Sequence, residues 1–389
     1  MEEPALACMS LIHGWFSQED GRLLYRTAVK ALSELPGDIV EIGSYKGRST
    51  IVLGWAVRAS GLDRKVFAVD PHEGSLTGRK VDPTWDDFVR NVSSSGVDRF
   101  IVPIRKKSEH VEHHDPVALL FIDGAHDMEN VSRDYARFSP AVVTGGYIAF
   151  HDYSNEDHGD VRLFVDDLVR RGELSVERLP EHPCKESSLI VTKKNVSLSV
   201  IVPTCGRPSL SLALASVAAA GATRADQVIV VGDGPQPVAR EIVERYAKQL
   251  KASYFETEPT RLVGAHQRNI AIAKATRSHL VFIDDDDTYM PGALALVRTE
   301  AQRYPERILL FQEVSDSPRH PWGIIWKEKR VALGNVGSQM MVIPNIKSRL
   351  ALWPNHLCSD YGFLRTTVDH WAQGDSGIVW IDRVITRLH

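Results

Sequence analysis

The sequence predicts an α/β protein with two domains, each built on a mostly parallel β-sheet. Its 389 residues exceed what one hydrophobic core usually serves. In both halves, apolar runs of strand length alternate with helical segments, which is typical of parallel sheets covered on both faces. Most of these runs end in Gly, Asp or Pro, so polar groups collect where open α/β sheets bind their ligands.

The predicted strands follow one another at regular intervals. In the first half they are DIVEIG (38–43), KVFAVD (65–70), FIVPI (100–104), ALLFID (118–123) and GYIAFHD (146–152). In the second half they are LSVIVPT (198–204), QVIVVGD (227–233), ASYFET (252–257) and HLVFID (279–284). The strand SSLIVTKK closes the first sheet. We place the boundary in the short polar break that follows, which gives domains 1–194 and 195–389.

The composition is that of an ordinary globular protein, with 43% hydrophobic residues, 25% charged residues and a formal net charge of −4. This balance argues against a nucleic-acid partner and against binding to a membrane surface. The most apolar helical stretch, around 211–222, is too short to span a bilayer. The N-terminus, MEEPALACMS, lacks the pattern of a secretory signal, so we expect a cytoplasmic protein. The four cysteines form no CxxC pair, so neither a zinc site nor disulfides are expected.

The first candidate site lies in IVEIGSYKGRST (39–50), which reads as a strand, a glycine turn and the start of a helix. Gly43 and Gly47 let the backbone turn sharply and approach a ligand, and the helix start offers free N–H groups. Glu41 at the strand end can accept a hydrogen bond from an amine. Asp70, at the end of the next strand, can bind both hydroxyls of a ribose.

An NAD-dependent enzyme is an alternative interpretation of this turn. The dehydrogenase pattern GxGxxG is broken by Ser44 and Tyr45, which argues against it.

Four segments across residues 10–193 resemble class I S-adenosylmethionine-dependent methyltransferases, closest to sugar O-methyltransferases of antibiotic pathways. These segments are GWFSQEDGRLLY, VEIGSYKGRST, FIDGAHDMENVSRDY and GGYIAFHDY. The resemblance implies an N-terminal Rossmann-like fold with S-adenosylmethionine as cofactor. The residues implied around its methionine part are Glu41, Gly43, Ser44 and Gly47. Asp70 would hold the ribose, and Ser108 would lie near the adenine.

FIDGAH and AFHDY add four groups at the ends of two strands, namely Asp123, His126, His151 and Asp152. Carboxylates and imidazoles that converge can hold a divalent metal that orients a sugar diol. Alternatively, a histidine acts as general base toward a hydroxyl. The resemblance favours Mg²⁺ held by Asp123 and Asp152, with Asp123 also bordering the cofactor. That the histidines only bind backbone groups remains open.

The second half resembles family 2 glycosyltransferases of the GT-A fold over residues 197–389. The segments that carry the resemblance are SVIVPTCGRPSLSLALASV (199–217), VIVVGDG (228–234) and GAHQRNIAIAKATRSHLVFIDDDD (264–287). The resemblance implies a nucleotide-sugar donor, with a UDP-sugar favoured. Pro203 would shape the nucleotide pocket, and Arg268 would contact the diphosphate. The residues implied at the base and ribose are Thr204, Arg207 and Asp233.

The segment HLVFIDDDDTYMPG (279–292) sets four carboxylates in a row after a buried strand. Adjacent like charges persist either because the turn is solvated or because a positive group lies there. A divalent cation, Mn²⁺ or Mg²⁺, between the acids and a diphosphate removes the repulsion. By resemblance, Asp284 and Asp286 are the outer residues of a DxD motif, with Asp286 on the metal and Asp284 on the metal or ribose. Asp285 borders the nucleotide sugar, unless it or Asp287 caps the next helix.

An inverting transferase needs a base for the acceptor hydroxyl. By resemblance, this base is Asp360, which lies in NHLCSDYGFLRTTV (355–368), where Ser359 replaces the usual Glu. A helix cap is the alternative for this carboxylate. By the same resemblance, His389 would complete the metal site; the alternative is that, as the last residue, it is disordered. Trp322 and Trp326 can stack on sugars or pack in the core.

These patterns together predict a bifunctional enzyme that acts in natural-product or glycan biosynthesis. It would transfer a sugar with inversion to an acceptor hydroxyl of a sugar or natural product, and methylate the sugar or the acceptor. In the alternative, only one domain is catalytic and the other is a binding or scaffold module. A homo-oligomer is compatible with the sequence.

Overall fold

A computed structural model describes residues 1–76, 79–80, 82–113, 115–177, 187–260, 264–315, 326, 328–356, 358–371 and 373–389. The chain separates into two compact units, Met1–Asn195 and Val196–His389. Each unit is an α/β structure built around one large sheet, which confirms the predicted fold class. Within the described residues, no helix combines the length and apolar character needed to cross a membrane.

The elements of the first unit alternate as predicted. Its helices are α1 (Glu2–Ser10), α2 (Gln18–Glu34), α3 (Arg48–Ser60), α4 (Trp85–Ser94), α5 (Met128–Phe138) and α6 (Gly159–Arg170). Its strands are β1 (Asp38–Ile42), β2 (Val66–Val69), β3 (Ser75–Leu76), β4 (Arg79–Lys80), β5 (Ile101–Ile104), β6 (Val117–Ile122), β7 (Val142–Phe150), β8 (Leu174–Val176) and β9 (Ile190–Lys194).

Seven of the described strands form the main sheet of this unit, in the order β5-β2-β1-β6-β7-β9-β8. The five neighbouring strands β5, β2, β1, β6 and β7 are parallel to one another. Strand β9 runs antiparallel to both of its neighbours, β7 and β8. The chain moves outward from β1 to β5 and then returns to β6 on the other side of β1. The topological switch point therefore lies between β1 and β6, where ligands of such sheets bind.

The two faces of this sheet carry separate cores. Ile39 and Leu119 pack with α2 and α3, whereas Val40 and Leu120 pack with α5 and α6. Because side chains alternate along a strand, both faces of β1 and β6 are buried and their sequences are continuously apolar. The strand ends are thereby held rigidly, and the polar residues that follow them inherit fixed positions.

The second unit has a mixed sheet. Its helices are α7 (Leu210–Ala219), α8 (Pro237–Leu250), α9 (Ala265–Lys274), α10 (Ala293–Arg303) and α11 (Ser359–Asp369). Its strands are β10 (Leu198–Thr204), β11 (Gln227–Gly232), β12 (Ala252–Glu256), β13 (His279–Phe282), β14 (Thr288–Tyr289), β15 (Ile308–Ser315), β16 (Met341–Pro344) and β17 (Ile378–Leu388).

The described strands of this unit form one sheet in the order β12-β11-β10-β13-β16-β15-β17-β14. The four neighbouring strands β12, β11, β10 and β13 are parallel to one another, whereas β16 is antiparallel to both β13 and β15. The switch point lies between β10 and β13. Strands β10 to β13 begin where the sequence predicted and end within two residues of the predicted ends, but β14 to β17 were not predicted. Their pairing depends on distant partners, which local patterns do not reveal.

Gly43 provides a test of how tightly the first turn is built. Its φ is +88°, and an added Cβ would lie 2.1 Å from the carbonyl oxygen of Asp123. Gly61 has a similar φ of +68° but no neighbour within 4 Å. We expect Gly61→Ala to cost about 1 kcal/mol of unfolding free energy through its backbone conformation. Gly43→Ala should cost about 3 kcal/mol, because the strand end after β6 must also shift.

Urea unfolding of the full chain, followed by circular dichroism, measures both losses. Equal losses in the two variants would contradict the close approach of the two strand ends.

Candidate functional sites

The glycine turn after β1 presents several groups to the switch point. Gly43 and Gly47 both have φ of +88°. The Asp70 carboxylate accepts hydrogen bonds from the backbone N–H groups of Tyr45 (2.8 Å) and His72 (2.7 Å), so it is fixed beside the turn. The Ser44 hydroxyl is buried, and no described residue forms a hydrogen bond with it. A buried orphan hydroxyl at a positive-φ turn fits a bound polar ligand.

Glu41 lies beneath this turn and is fully buried. It accepts hydrogen bonds from the hydroxyls of Ser49 (2.6 Å) and Thr50 (2.5 Å), which ties β1 to the first turn of α3. Burial raises the pKa of Glu41 to about 8, despite these hydrogen bonds. Its predicted contact with an amine stays a prediction.

Ser108 donates a hydrogen bond to Asp134 of α5 (2.6 Å). Asp134 is buried, and burial raises its pKa. The sequence analysis missed Asp134, because a lone acid on an amphipathic helix is usually solvated. The role of Ser108 near an adenine stays a prediction.

The four groups predicted at the ends of β6 and β7 converge. They are Asp123, His126, His151 and Asp152, and one potential ligand atom of each lies within 4.8 Å of the others. His151 Nδ1 is 3.0 Å from Asp123 and 3.1 Å from Asp152, and His126 Nε2 is 3.0 Å from Asp152. Among the described residues, this is the one group whose ligand atoms gather closely enough to hold a metal ion.

The other side of His151 reveals a residue that sequence reasoning missed. His151 Nε2 lies 3.0 Å from the Ser188 hydroxyl and 3.5 Å from the Asp20 carboxylate. Asp20 is buried and also accepts from the hydroxyls of Ser17 and Ser187, both at 2.6 Å. The capping box from Ser17 to Asp20 can be found in the sequence, but its approach to His151 cannot.

These contacts separate the two histidines. Burial alone would lower both pKa values, but the surrounding carboxylates raise the pKa of His151 to about 12 and that of His126 to about 9. His151 is buried with partners on both ring nitrogens, whereas the His126 side chain retains 19% of its exposure. His126 is therefore the more accessible group for proton transfer.

In the second unit, Asp285 turns inward after β13 and is buried. It accepts hydrogen bonds from the Thr204 hydroxyl (2.6 Å), the Cys205 backbone N–H (3.1 Å) and Arg207 (2.9 Å). Arg207 also lies 2.5 Å from the carboxylate of Asp286. The turn after β10 and the acidic turn after β13 are thus joined across the switch point.

The neighbouring acids are also held. Asp284 pairs with Arg268, which is buried against the Trp353 ring at 5.0 Å. Asp287 accepts from the Gln339 side chain (2.5 Å), and the same Gln339 nitrogen lies 3.2 Å from Asp284. Burial, with the charge of Asp284, raises the pKa of Asp287 to about 7. Asp285 and Asp287 are buried, whereas the side chains of Asp284 and Asp286 are 32% and 41% exposed, so the acidic run is a partly buried cluster and not a fully solvated turn.

His389 meets this cluster through its backbone. Its N–H donates to Asp287 (3.1 Å), while its ring Nε2 lies 2.9 Å from the Thr288 hydroxyl. The ring does not gather with the acids into a metal-ligand group among the described residues. Its metal-binding role stays a prediction, as do those of Asp284 and Asp286.

Asp233 follows β11 and accepts from the backbone N–H (2.7 Å) and hydroxyl (3.0 Å) of Thr260 and from Gln267 (3.0 Å). Pro203 is the last residue but one of β10, and a Cβ added at the neighbouring Gly264 would lie 3.2 Å from its ring. The ends of β10 and β11 are aligned by their pairing, with Thr204 opposite Gly232. The predicted nucleotide contacts of Pro203 and Asp233 stay predictions.

Asp360 lies in the first turn of α11. Its side chain accepts from the backbone N–H of Ser338 (3.0 Å), and no side chain caps α11. Burial raises its pKa, while Arg268 opposes the rise. The Trp326 ring is buried and packs edge-on against Trp380, which favours core packing. Trp322 lies outside the described residues.

Comparison with known proteins identifies two domains. Residues 40–153 match the family model for a methyltransferase domain, and residues 199–341 match that for glycosyl transferase family 2. Each unit therefore matches the family model of one kind of transferase domain.

Three solved structures are similar in part. S. aureus TarS is 18% identical (TM-score 0.42, 50% of this chain and 36% of that chain). TarS 1–349 in complex with UDP-GlcNAc is 19% identical (TM-score 0.42, 49% and 58%). The O-methyltransferase NovP is 17% identical (TM-score 0.39, 46% and 83%). This chain thus spans less than two thirds of the TarS chains it matches.

The buried Glu41 predicts a pH dependence of stability. Its pKa is about 8 in the folded chain, compared with an ordinary value of 4.5 for a glutamate in the unfolded chain. Between these values the unfolded chain releases a proton that the folded chain retains, so Glu41 makes stability fall as pH rises. Glu41→Gln should therefore gain stability relative to the parent chain from pH 5 to pH 9, by up to about 4 kcal/mol.

Unfolding free energies measured across this range test the prediction, with the exposed Glu129→Gln as the control. A constant difference between Glu41→Gln and the parent chain would exclude a neutral Glu41.

Proposed function

Because the chain combines a methyltransferase domain with a glycosyl transferase family 2 domain, we propose that it is a bifunctional enzyme. Residues 195–389 transfer a sugar with inversion from a nucleotide-sugar donor, with UDP favoured, to an acceptor hydroxyl. Residues 1–194 methylate a hydroxyl of that sugar or of the acceptor. The observation that carries this proposal is that each family match spans a switch point where acidic side chains meet.

The glycine turn of the first unit suits S-adenosylmethionine, which supplies the methyl group when bound. The buried Ser44 hydroxyl lacks a described partner, and Gly43 and Gly47 keep the backbone free of side chains. Asp70, held by two backbone N–H groups, would accept the ribose hydroxyls. Glu41 would order the turn from below through α3.

The converging acids and histidines suit a divalent cation, which would orient a sugar diol and lower the pKa of its hydroxyl. Asp123 and Asp152 supply the hard oxygen ligands. His151, held between carboxylates on both ring nitrogens, fixes the orientation of Asp123 and Asp152. A cation held by Asp123 and Asp152 would remove the cause of the raised pKa of His126. The neutral His126 ring would then be able to accept the proton of the hydroxyl that receives the methyl group.

In the second unit, the ion pairs between arginines and acids suit the binding of a nucleotide-sugar donor. Arg207 and Arg268 lie beside Asp286 and Asp284, so a diphosphate would find two guanidinium groups at its binding site. A divalent cation, held by Asp286 and Asp284, would neutralise the charge of the leaving diphosphate. Asp360 accepts the proton of the acceptor hydroxyl as its oxygen bonds to the sugar C1 and the C1–O bond to the diphosphate breaks.

Asp360→Asn tests the base. The amide keeps the shape of the side chain but cannot accept the proton, so sugar transfer should fall about a thousandfold. UDP affinity and methyl transfer should be unchanged, as in the exposed control Asp382→Asn. Product formation from a nucleotide-sugar panel with Mn²⁺ measures the effect. A loss of less than tenfold, or a parallel loss of methyl transfer, would refute the assignment.

Asp152→Asn tests the metal-dependent half. We expect methyl transfer to fall at least about a hundredfold, because a carboxylate ligand is lost. Sugar transfer should persist. The readouts are S-adenosylhomocysteine formation with added Mg²⁺, and calorimetric titration of S-adenosylmethionine to verify cofactor binding. Unchanged methylation would exclude this metal site, and a chain that binds only one of S-adenosylmethionine and UDP would have a single active domain.

A further inference from the structure

The second site holds more acids than described cations. Its carboxyl groups belong to Asp284, Asp285, Asp286, Asp287, Glu313 and Asp360. Arg207 pairs with Asp285 and Asp286, and Arg268 with Asp284. Within the described part of the chain, no cation forms an ion pair with Asp287 or Glu313. The imbalance lies on the side of the proposed base rather than on the side of the arginines.

Glu313 is a member of this group that has no role in the proposed sugar transfer. It lies on β15 with 2% of its surface exposed. Its Oε2 atom has no hydrogen-bond partner among the described residues. Its Oε1 atom packs so tightly on Gly337 that an added Cβ there would lie 2.6 Å away. Burying a carboxyl group without a partner is costly, so a retained one points to a ligand.

One short turn gathers the carboxyl groups on this side. Gly337 packs against Glu313, and the next backbone N–H, of Ser338, donates to Asp360. The following residue, Gln339, donates to Asp287 and Asp284. Three consecutive residues thus contact the unpartnered acid, the proposed base and the acidic turn. After burial, the charges of Asp360 and Asp287 also raise the pKa of Glu313, so the three carboxyl groups lie near one another in the same part of the site.

We propose that the acceptor carries an ammonium group beside the hydroxyl that is glycosylated, and that Glu313, Asp287 and Asp360 bind it. The acceptor is then an amino sugar or a related amino alcohol. This inference rests on the proposed sugar transfer and names its acceptor class. An ammonium has three donors, which match carboxylates from three elements. Its charge also keeps Asp360 ionised, as a general base must be.

The test uses the full chain with UDP and Mn²⁺ and matched acceptor probes. The probes are 2-amino and 3-amino derivatives of methyl glucoside, each compared with its N-acetylated form, which lacks the charge. We expect at least one amine to bind about tenfold more tightly than its N-acetylated partner, as measured by calorimetry. Glu313→Gln should reduce this preference below threefold, whereas the exposed control Glu241→Gln should keep it.

UDP binding distinguishes a failure of the proposed sugar transfer from a failure of the proposed ammonium site. If UDP does not bind to the parent chain, the proposed sugar transfer fails. If UDP binds equally to the parent chain and Glu313→Gln, both are folded. Equal binding of amines and N-acetylated forms by the parent chain, or a preference that survives Glu313→Gln, would then overturn the inference.

Discussion

Repulsion between neighbouring carboxylates is the constraint on which both sites depend. In the second unit, Arg207 and Arg268 form ion pairs with three of the four consecutive acids, which reduces the repulsion between the acids. Gln339 also donates hydrogen bonds to two of them. In the first unit, two imidazoles lie among the carboxylates of Asp123 and Asp152. Both arrangements place positively charged or protonatable side chains beside acids, and the proposed binding of cations and phosphates depends on this placement.

The sheets hold these acidic groups close together by fixing the backbone that carries them. Buried parallel strands fix the backbone up to the last apolar residue, and the acids follow at once. In the first unit, Gly43 lies so close to the end of β6 that a side chain there would collide with Asp123. In the second, Asp285 accepts a hydrogen bond from the backbone N–H of Cys205 in the turn after β10, although the two residues are 80 positions apart in the sequence. Rigid strand ends thus convert chain order into a shared site.

The supporting residues explain why the sequence analysis identified the sites but not their interiors. Asp20, Asp134, Gln339 and Glu313 each act through a contact more than 20 residues away or through burial. Nothing in their local patterns distinguishes them from solvated polar residues. The buried state of Asp285 and the isolation of the His389 ring from the acids are of the same kind. Orientation is decided by packing, which local sequence does not encode.

By itself, the sequence determined the fold class, the parallel strands β10 to β13, and the acids and glycines at strand ends, because apolar periodicity and turn chemistry are local properties. Only the tertiary structure decided which acids face inward, which histidine is held on both sides, and that Asp360 bonds to Ser338 instead of capping its helix. It also decided the pairing of β14 to β17. These features depend on distances between residues remote in the chain, and such distances exist only after folding.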